Sequence, residues 1–184
     1  MSLKKISKDQ PDNFEFSEKN LEISKKIIDK YPKGKQSSAV MALLYLAQRQ
    51  NQNWIPLAAM KYIGKILSMP YIKVYEVATF YSMYNLKPVG KYFYQICTTT
   101  PCMLRGSGKL VEACKEKISE NQNEISNDGN CSWVEVECLG ACVNAPMAQI
   151  NDDYFEDLNK QKLIEIIEQT KKILNLEQDH IKVD

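Results

Sequence analysis

The chain has 184 residues, of which 44% are hydrophobic, so it can bury one core or two small ones. Its 24 Lys and Arg residues nearly balance 23 Asp and Glu residues, which gives no electrostatic case for a nucleic-acid partner. No apolar run approaches the roughly 20 residues needed to span a bilayer, and the first residues do not follow the pattern of a secretory signal. We therefore expect a cytosolic protein, in which six cysteines stay reduced and are available for metal binding.

The first 85 residues carry mainly helical signals. Ser17 is placed to cap a helix that ends near Tyr31, where Pro32 follows. Three further helices are predicted: from Ser37 or Ser38 toward Gln50, from Pro56 to a point before Pro70, and over about 72–84. None of these helices is long enough to be stable alone, so we expect them to pack as a bundle over residues 14–86.

The pattern changes after Gly90. Strands are predicted over 91–97 and 133–137, a helix over 110–118, and a hairpin over 147–155. Asn159 can then cap a last helix. The order β-α-β-β-β-α predicts a thioredoxin-like domain over 90–175, so the fold class is α+β, a helical bundle followed by a thioredoxin-like domain. Residues 1–13 and 176–184 are predicted to be flexible termini.

Four of the six cysteines form two closely spaced pairs, one in each of two loops. The four paired cysteines are Cys97, Cys102, Cys138 and Cys142. Four thiolates that converge from two loops make a metal site. Structural zinc sites usually use C-x2-C spacing and often histidine, whereas the gaps here are four and three residues and His180 is the one histidine. This spacing favours iron–sulfur, although a zinc ion held by four cysteines stays possible.

A [2Fe–2S] cluster needs four thiolates, two for each iron. The simplest arrangement places Cys97 and Cys102 on one iron and Cys138 and Cys142 on the other. Neither pair has the C-x-x-C spacing of thioredoxins, so a dithiol oxidoreductase is disfavoured.

The remaining candidate residues have simpler interpretations. Cys114 lies in the predicted helix over 110–118 and is expected to be a small buried hydrophobe. Cys131 is expected at the start of a strand and has no partner by spacing. His180 is expected to be a solvated residue of the tail. The peptide bond before Pro146 is predicted to be cis, because thioredoxin-like folds carry a cis-proline ahead of a strand.

Longer stretches around both pairs carry a family resemblance. The segments are CTTTPCMLRG at 97–106 and ECLGACVNAPM at 137–147, and the likeness continues upstream through VYEVATFY at 74–81. They resemble the thioredoxin-like [2Fe–2S] subunit of the NADH dehydrogenase module of respiratory complex I. The resemblance covers residues 14–173. The chain departs from the family at Ala42, where proline is expected, and at Cys131, where an aromatic residue is expected, and both departures concern packing.

The resemblance implies that Cys97, Cys102, Cys138 and Cys142 bind one [2Fe–2S] cluster per chain. It also implies an electron-transfer subunit of NADH:quinone oxidoreductase that exchanges single electrons with FMN. That FMN and the NADH site belong to a partner flavoprotein subunit, and the iron–sulfur large subunit of complex I is a second implied partner. This chain has neither a G-x-G-x-x-G nor a Walker sequence, so we expect no nucleotide site of its own.

The same resemblance implies a cytoplasmic location, peripheral to the bacterial inner membrane, with membrane contact only through the complex. Two other functions stay open. One is the equivalent diaphorase subunit of an NAD-linked formate dehydrogenase or hydrogenase, since related subunits serve those enzymes. The other is an adaptor protein with a zinc-stapled domain, which would be colourless where an iron–sulfur protein is reddish brown.

Overall fold

The chain divides into two compact units, Met1–Pro88 and Val89–Asp184, each with a hydrophobic core of its own. The computed structural model describes residues 6–181, and their side chains through Leu174. Much of the two predicted flexible termini, including positions 1–5 and 182–184, lies outside the described residues. The side chain of His180 also lies outside them.

The first unit is helical, as predicted. Its four helices are α1 (Glu18–Ile28), α2 (Val40–Gln50), α3 (Leu57–Ile66) and α4 (Tyr71–Phe80), and a 3-10 turn over Gln36–Ala39 leads into α2. The hydroxyl of Ser17 accepts a hydrogen bond from the Asn20 N–H at 3.3 Å, which confirms the predicted cap of α1. Buried residues of α2, α3 and α4 form one core, including Leu43, Leu44, Met60, Ile63 and Val74, and partly buried residues of α1 pack against it.

Two helix ends in this unit differ from the prediction. Helix α2 begins at Val40 because the residues before it form the 3-10 turn. Helix α4 ends at Phe80 rather than near Tyr84, because the chain turns away to bury the Tyr84 ring, whose hydroxyl donates to the Met41 carbonyl at 2.9 Å. The buried Gln48 side chain fixes this turn by donating to the Met83 carbonyl and accepting from the Asn85 N–H.

The second unit contains a four-stranded sheet. Its strands are β1 (Tyr92–Cys97), β2 (Cys131–Val136), β3 (Ala148–Ile150) and β4 (Asp153–Phe155), in the spatial order β2-β1-β3-β4. Strands β1 and β2 are parallel, and the other two pairings are antiparallel. The chain crosses from β1 to β2 through helices α5 (Thr100–Leu104) and α6 (Ser107–Lys117), as a parallel pair requires, and ends in α7 (Lys160–Ile181).

The helices of this unit depart from the prediction in three places. Helix α5 was not predicted, and α6 begins three residues before Leu110. Gly106 separates them in a left-handed conformation, with φ of +97°, which allows the chain to turn sharply between two short helices. Helix α7 continues to Ile181, beyond residue 175 where the domain was predicted to end. The described residues contain no helix with the length and apolar character to cross a bilayer.

The core of the second unit lies between the sheet and helices α6 and α7. Tyr94 and Trp133 are buried from the sheet, and Leu110, Leu163 and Ile167 are buried from the helices. The side-chain amide oxygen of Asn159 accepts from the Lys162 N–H at 2.9 Å and caps α7, as predicted. This packing fixes the sheet and therefore the loops that leave its edge.

Candidate metal centre

Both cysteine pairs lie at one edge of the sheet. Cys97 is the last residue of β1, and in the register of the parallel pair it lies opposite Val136, the last residue of β2. Cys138 follows two residues later. Since the carboxyl ends of parallel strands share one edge, the two cysteine loops start side by side.

The first pair is buried. Cys97 and Cys102 are each 1% exposed, and they pack with Ala145 and Met147. Cys102 lies in the short helix α5, and Pro101 stands in its first turn, where a missing N–H costs nothing. The Cys97 N–H donates to the Met147 carbonyl at 3.3 Å, so the segment before β3 holds this pair in place.

The second pair lies at the surface. Cys138 and Cys142 are exposed, and their sulfur atoms are 3.5 Å apart. Gly140 between them has a φ of +89°, in the left-handed region where a side chain would cost roughly 1 kcal/mol. The Tyr154 hydroxyl donates to the Leu139 carbonyl at 2.8 Å and ties this loop to β4.

A 3-10 turn over Cys142–Asn144 leads from the second loop back to the sheet. The peptide bond between Ala145 and Pro146 that follows is cis, which confirms the prediction for this position.

The pKa values of the two buried thiols are shifted in opposite directions. Burial alone would raise the pKa of Cys97, but hydrogen bonds from the Thr99 hydroxyl and from the Leu139 and Thr99 backbone N–H groups outweigh it, so the pKa is lowered. For Cys102, burial and the hydrogen bond shared with Cys97 raise the pKa to about 11. The protein thus stabilises a thiolate at Cys97 in particular.

The four predicted ligands interact with one another across the two loops. Cys102 is affected electrostatically by Cys97 and Cys142. The pKa of Cys142 is raised, first by its hydrogen bond to the Cys138 thiol and also by the charge of Cys97. Because neighbouring sulfur atoms raise the pKa values of Cys102 and Cys142, a bound cation would favour the thiolate form at these two positions.

The donor set fits a [2Fe–2S] cluster. Among the described residues, no three His, Cys, Asp or Glu side chains converge as they would on a single metal ion. A two-iron cluster does not require such a group, because each iron takes only two thiolates from the protein. Two pairs of sulfur atoms, each pair supplied by one loop, satisfy this requirement.

The other two cysteines lie away from this edge. Cys114 in α6 and Cys131, the first residue of β2, are fully buried in the core of the second unit, and we call them the core cysteines. Burial raises the pKa of Cys114 to about 12 and that of Cys131 to about 11. Both placements agree with the sequence predictions, a small hydrophobe in a helix and a residue at the start of a strand.

Sequence reasoning missed the residues that surround the sulfur atoms. Thr99 lies two positions after Cys97, and its hydroxyl oxygen is 3.3 Å from the Cys97 sulfur. Three threonines follow Cys97 in a row, so the sequence alone does not indicate which one faces the sulfur. Leu139 and Met147 reach the sulfur atoms through backbone N–H groups, and side-chain identity does not reveal such donors.

A thioredoxin-like sheet with four cysteines at the carboxyl ends of its parallel strands defines a class of small iron–sulfur proteins. The family model of the thioredoxin-like [2Fe–2S] ferredoxins matches residues 24–171. The chain therefore belongs to the family of thioredoxin-like [2Fe–2S] ferredoxins.

Close relatives and solved structures agree with this membership. The chain is 54% identical over 159 residues to the E-type subunit of NADH-quinone oxidoreductase from Rickettsia bellii, covering 86% of this chain and 95% of that protein. It is 53% identical over 156 residues to the same subunit from Rickettsia typhi, covering 85% and 92%.

An NAD+-reducing [NiFe]-hydrogenase in its H2-reduced state is similar in fold, with a TM-score of 0.62 and 18% identity. The match covers 73% of this chain and 22% of the hydrogenase chain, so this chain spans about a fifth of that structure's length. At this identity the likeness concerns the fold alone.

Proposed function

We propose that this chain is the electron-transfer subunit of an NADH-quinone oxidoreductase and binds one [2Fe–2S] cluster. The cluster ligands are Cys97, Cys102, Cys138 and Cys142. The observation that carries the proposal is the placement of two cysteine pairs in the loops that leave one sheet edge, in a chain that matches the E-type subunit of such enzymes over 86% of its length.

When bound, a [2Fe–2S] cluster accepts and releases one electron at a time. The protein contributes two different surroundings to it. Cys97 and Cys102 are buried and would hold their part of the cluster away from water, and hydrogen bonds from the chain reach the Cys97 sulfur. Cys138 and Cys142 lie at the surface and would hold their part of the cluster where a partner protein can approach it.

The partners follow from this role. A carrier of single electrons needs one protein that supplies them and one that accepts them. The supplier in this proposal is the flavoprotein subunit that binds FMN and NADH, and the iron–sulfur large subunit is a further neighbour. We place the chain in the cytoplasm, attached to the inner membrane only through the complex.

The alternatives are less well supported. An equivalent subunit of a hydrogenase or formate dehydrogenase would have the same fold and the same cluster. The hydrogenase likeness, at 18% identity, bears on the fold, whereas 54% identity to a quinone oxidoreductase subunit favours complex I. A zinc-stapled adaptor would use the same four thiols for one zinc ion.

The first test is the metal content of the anaerobically purified chain. The proposal predicts two irons and two acid-labile sulfides per chain, with a rhombic EPR signal after reduction by dithionite. One zinc and no sulfide, even after reconstitution with iron and sulfide, would establish the adaptor instead. Purification of the tagged chain from its host then identifies the large subunits and separates complex I from the two other enzymes.

A further inference from the structure

The Thr99 hydroxyl group does not make the hydrogen bond that is usual at its position. The residue occupies the N-cap position of α5, where threonine hydroxyls commonly accept a hydrogen bond from the first turn of the helix. Within the described part of the chain, its hydroxyl makes no such capping bond. Instead Oγ1 lies 3.3 Å from the Cys97 sulfur. The side chain is thus directed to a predicted cluster ligand and not to the helix it precedes.

The direction of this hydrogen bond follows from the chemistry of the ligand. In the free thiol either atom can donate, but a sulfur bound to iron carries no proton. The Thr99 hydroxyl must then be the donor. Cys97 is 1% exposed, so water does not compete strongly for the sulfur, and a hydrogen bond in such surroundings is stronger than one at the surface.

We propose that Thr99 is a positioning residue that raises the reduction potential of the cluster by donating a hydrogen bond to the Cys97 sulfur. Reduction adds one negative charge, part of which lies on the ligand sulfur atoms. A donor at one of these atoms stabilises the reduced form more than the oxidised form, so the potential rises. This inference rests on the proposed function, because it requires the cluster.

The hydroxyl is also a donor that mutation can remove. The backbone N–H groups of Leu139 and Thr99 reach the same sulfur and persist in any side-chain variant. Valine has the shape of threonine without the hydroxyl, and serine keeps the hydroxyl without the methyl group. Thr100 offers a matched control, because it is exposed at the start of α5 and belongs to the same run of threonines.

The experiment measures the potential of the full chain by EPR-monitored redox titration in four proteins: wild type, T99V, T99S and T100V. We expect a more negative potential in T99V and potentials close to wild type in T99S and T100V. Resonance Raman spectra should show shifted Fe–S(Cys) stretching bands in T99V alone. Iron and sulfide contents equal to wild type establish that the cluster itself is intact.

The possible outcomes distinguish a failure of this inference from a failure of the proposed function. A T99V protein with a full cluster and an unchanged potential overturns the role of Thr99 and leaves the proposed function intact. A wild-type chain that takes up no iron and sulfide overturns both. If T99V does not load a cluster, T99A replaces it, and a potential in T99A equal to that in T99S contradicts the role.

Discussion

The second unit contains two groups of cysteines with different surroundings. Around the paired cysteines, backbone and side-chain groups donate hydrogen bonds to sulfur, most fully at Cys97. Around the core cysteines, apolar side chains such as Leu110 and Trp133 exclude water. Burial raises the pKa of Cys102 as it does the pKa values of the core cysteines, but at Cys102 the hydrogen bond shared with Cys97 raises it further. Position at the sheet edge, rather than residue type, distinguishes a candidate ligand from a packing residue.

Replacement of a paired cysteine should reduce cluster binding far more than replacement of a core cysteine, and this is the largest effect that we expect. We expect C138A to lose most of the iron and sulfide, since one iron would keep a single protein ligand. C114A should keep both, and its stability should fall by about 1 kcal/mol because a small cavity replaces the sulfur. Metal analysis and the EPR signal of the two purified variants measure the difference.

Circular dichroism of both variants provides the control for folding. In a complex with the proposed flavoprotein partner, C138A should leave the iron–sulfur signals of that partner unchanged. A normal [2Fe–2S] signal in C138A would contradict the ligand assignment.

Alkylation rates should distinguish exposed cysteines from buried ones, and free cysteines from those that bind the cluster. In cluster-free protein, iodoacetamide should modify the exposed Cys138 and Cys142 first. The core cysteines should react at least about 100-fold more slowly, because the reagent reaches them only after an opening that costs roughly 3 kcal/mol or more. In cluster-loaded protein, Cys138 and Cys142 should be protected as well. Mass spectrometry after timed labelling measures all six sites, and modification of Cys114 as fast as Cys138 would contradict the burial contrast.

The sequence was most informative where a pattern has one structural solution. Aromatic and β-branched residues, one alternating segment and a turn signal predicted all four strands of the second unit, and Ser17 and Asn159 were correctly predicted as caps. The spacing of the paired cysteines predicted two loops that converge. Parallel pairing of β1 with β2 then supplied the reason, since it brings both loops to one edge.

The sequence was least informative where packing over long distances decides. The end of α4 depends on Tyr84, whose hydroxyl bonds to a residue 43 positions earlier. Helix α5 is five residues long and begins within a run of threonines that favours no helix. The contrast between a buried and an exposed cysteine pair was not predicted either, because it depends on the segment Ala145–Met147 that covers only the first pair.

The burial of the core cysteines should also have a smaller effect, a loss of folding stability at high pH. Burial raises the pKa of Cys114 from 9.0 to about 12, so between these values the unfolded chain releases a proton that the folded chain retains. The stabilisation due to this thiol is therefore fully present below about pH 9 and is lost as the pH rises toward 12. From pH 8 to pH 10 the loss should be about 1.4 kcal/mol, or about 3–5 °C in unfolding temperature.

Thermal unfolding under reducing conditions, at pH 8 and at pH 10, measures this loss. Lysines and tyrosines titrate in the same range, so the informative quantity is the difference between wild type and C114A. The unfolding temperature of C114A should fall less between the two pH values, although Cys131, with a pKa of about 11, still contributes. An equal decrease in unfolding temperature in both proteins would mean that the Cys114 thiol ionises as readily in the folded chain as in the unfolded one. The burial of the core cysteines in the structure would then be contradicted.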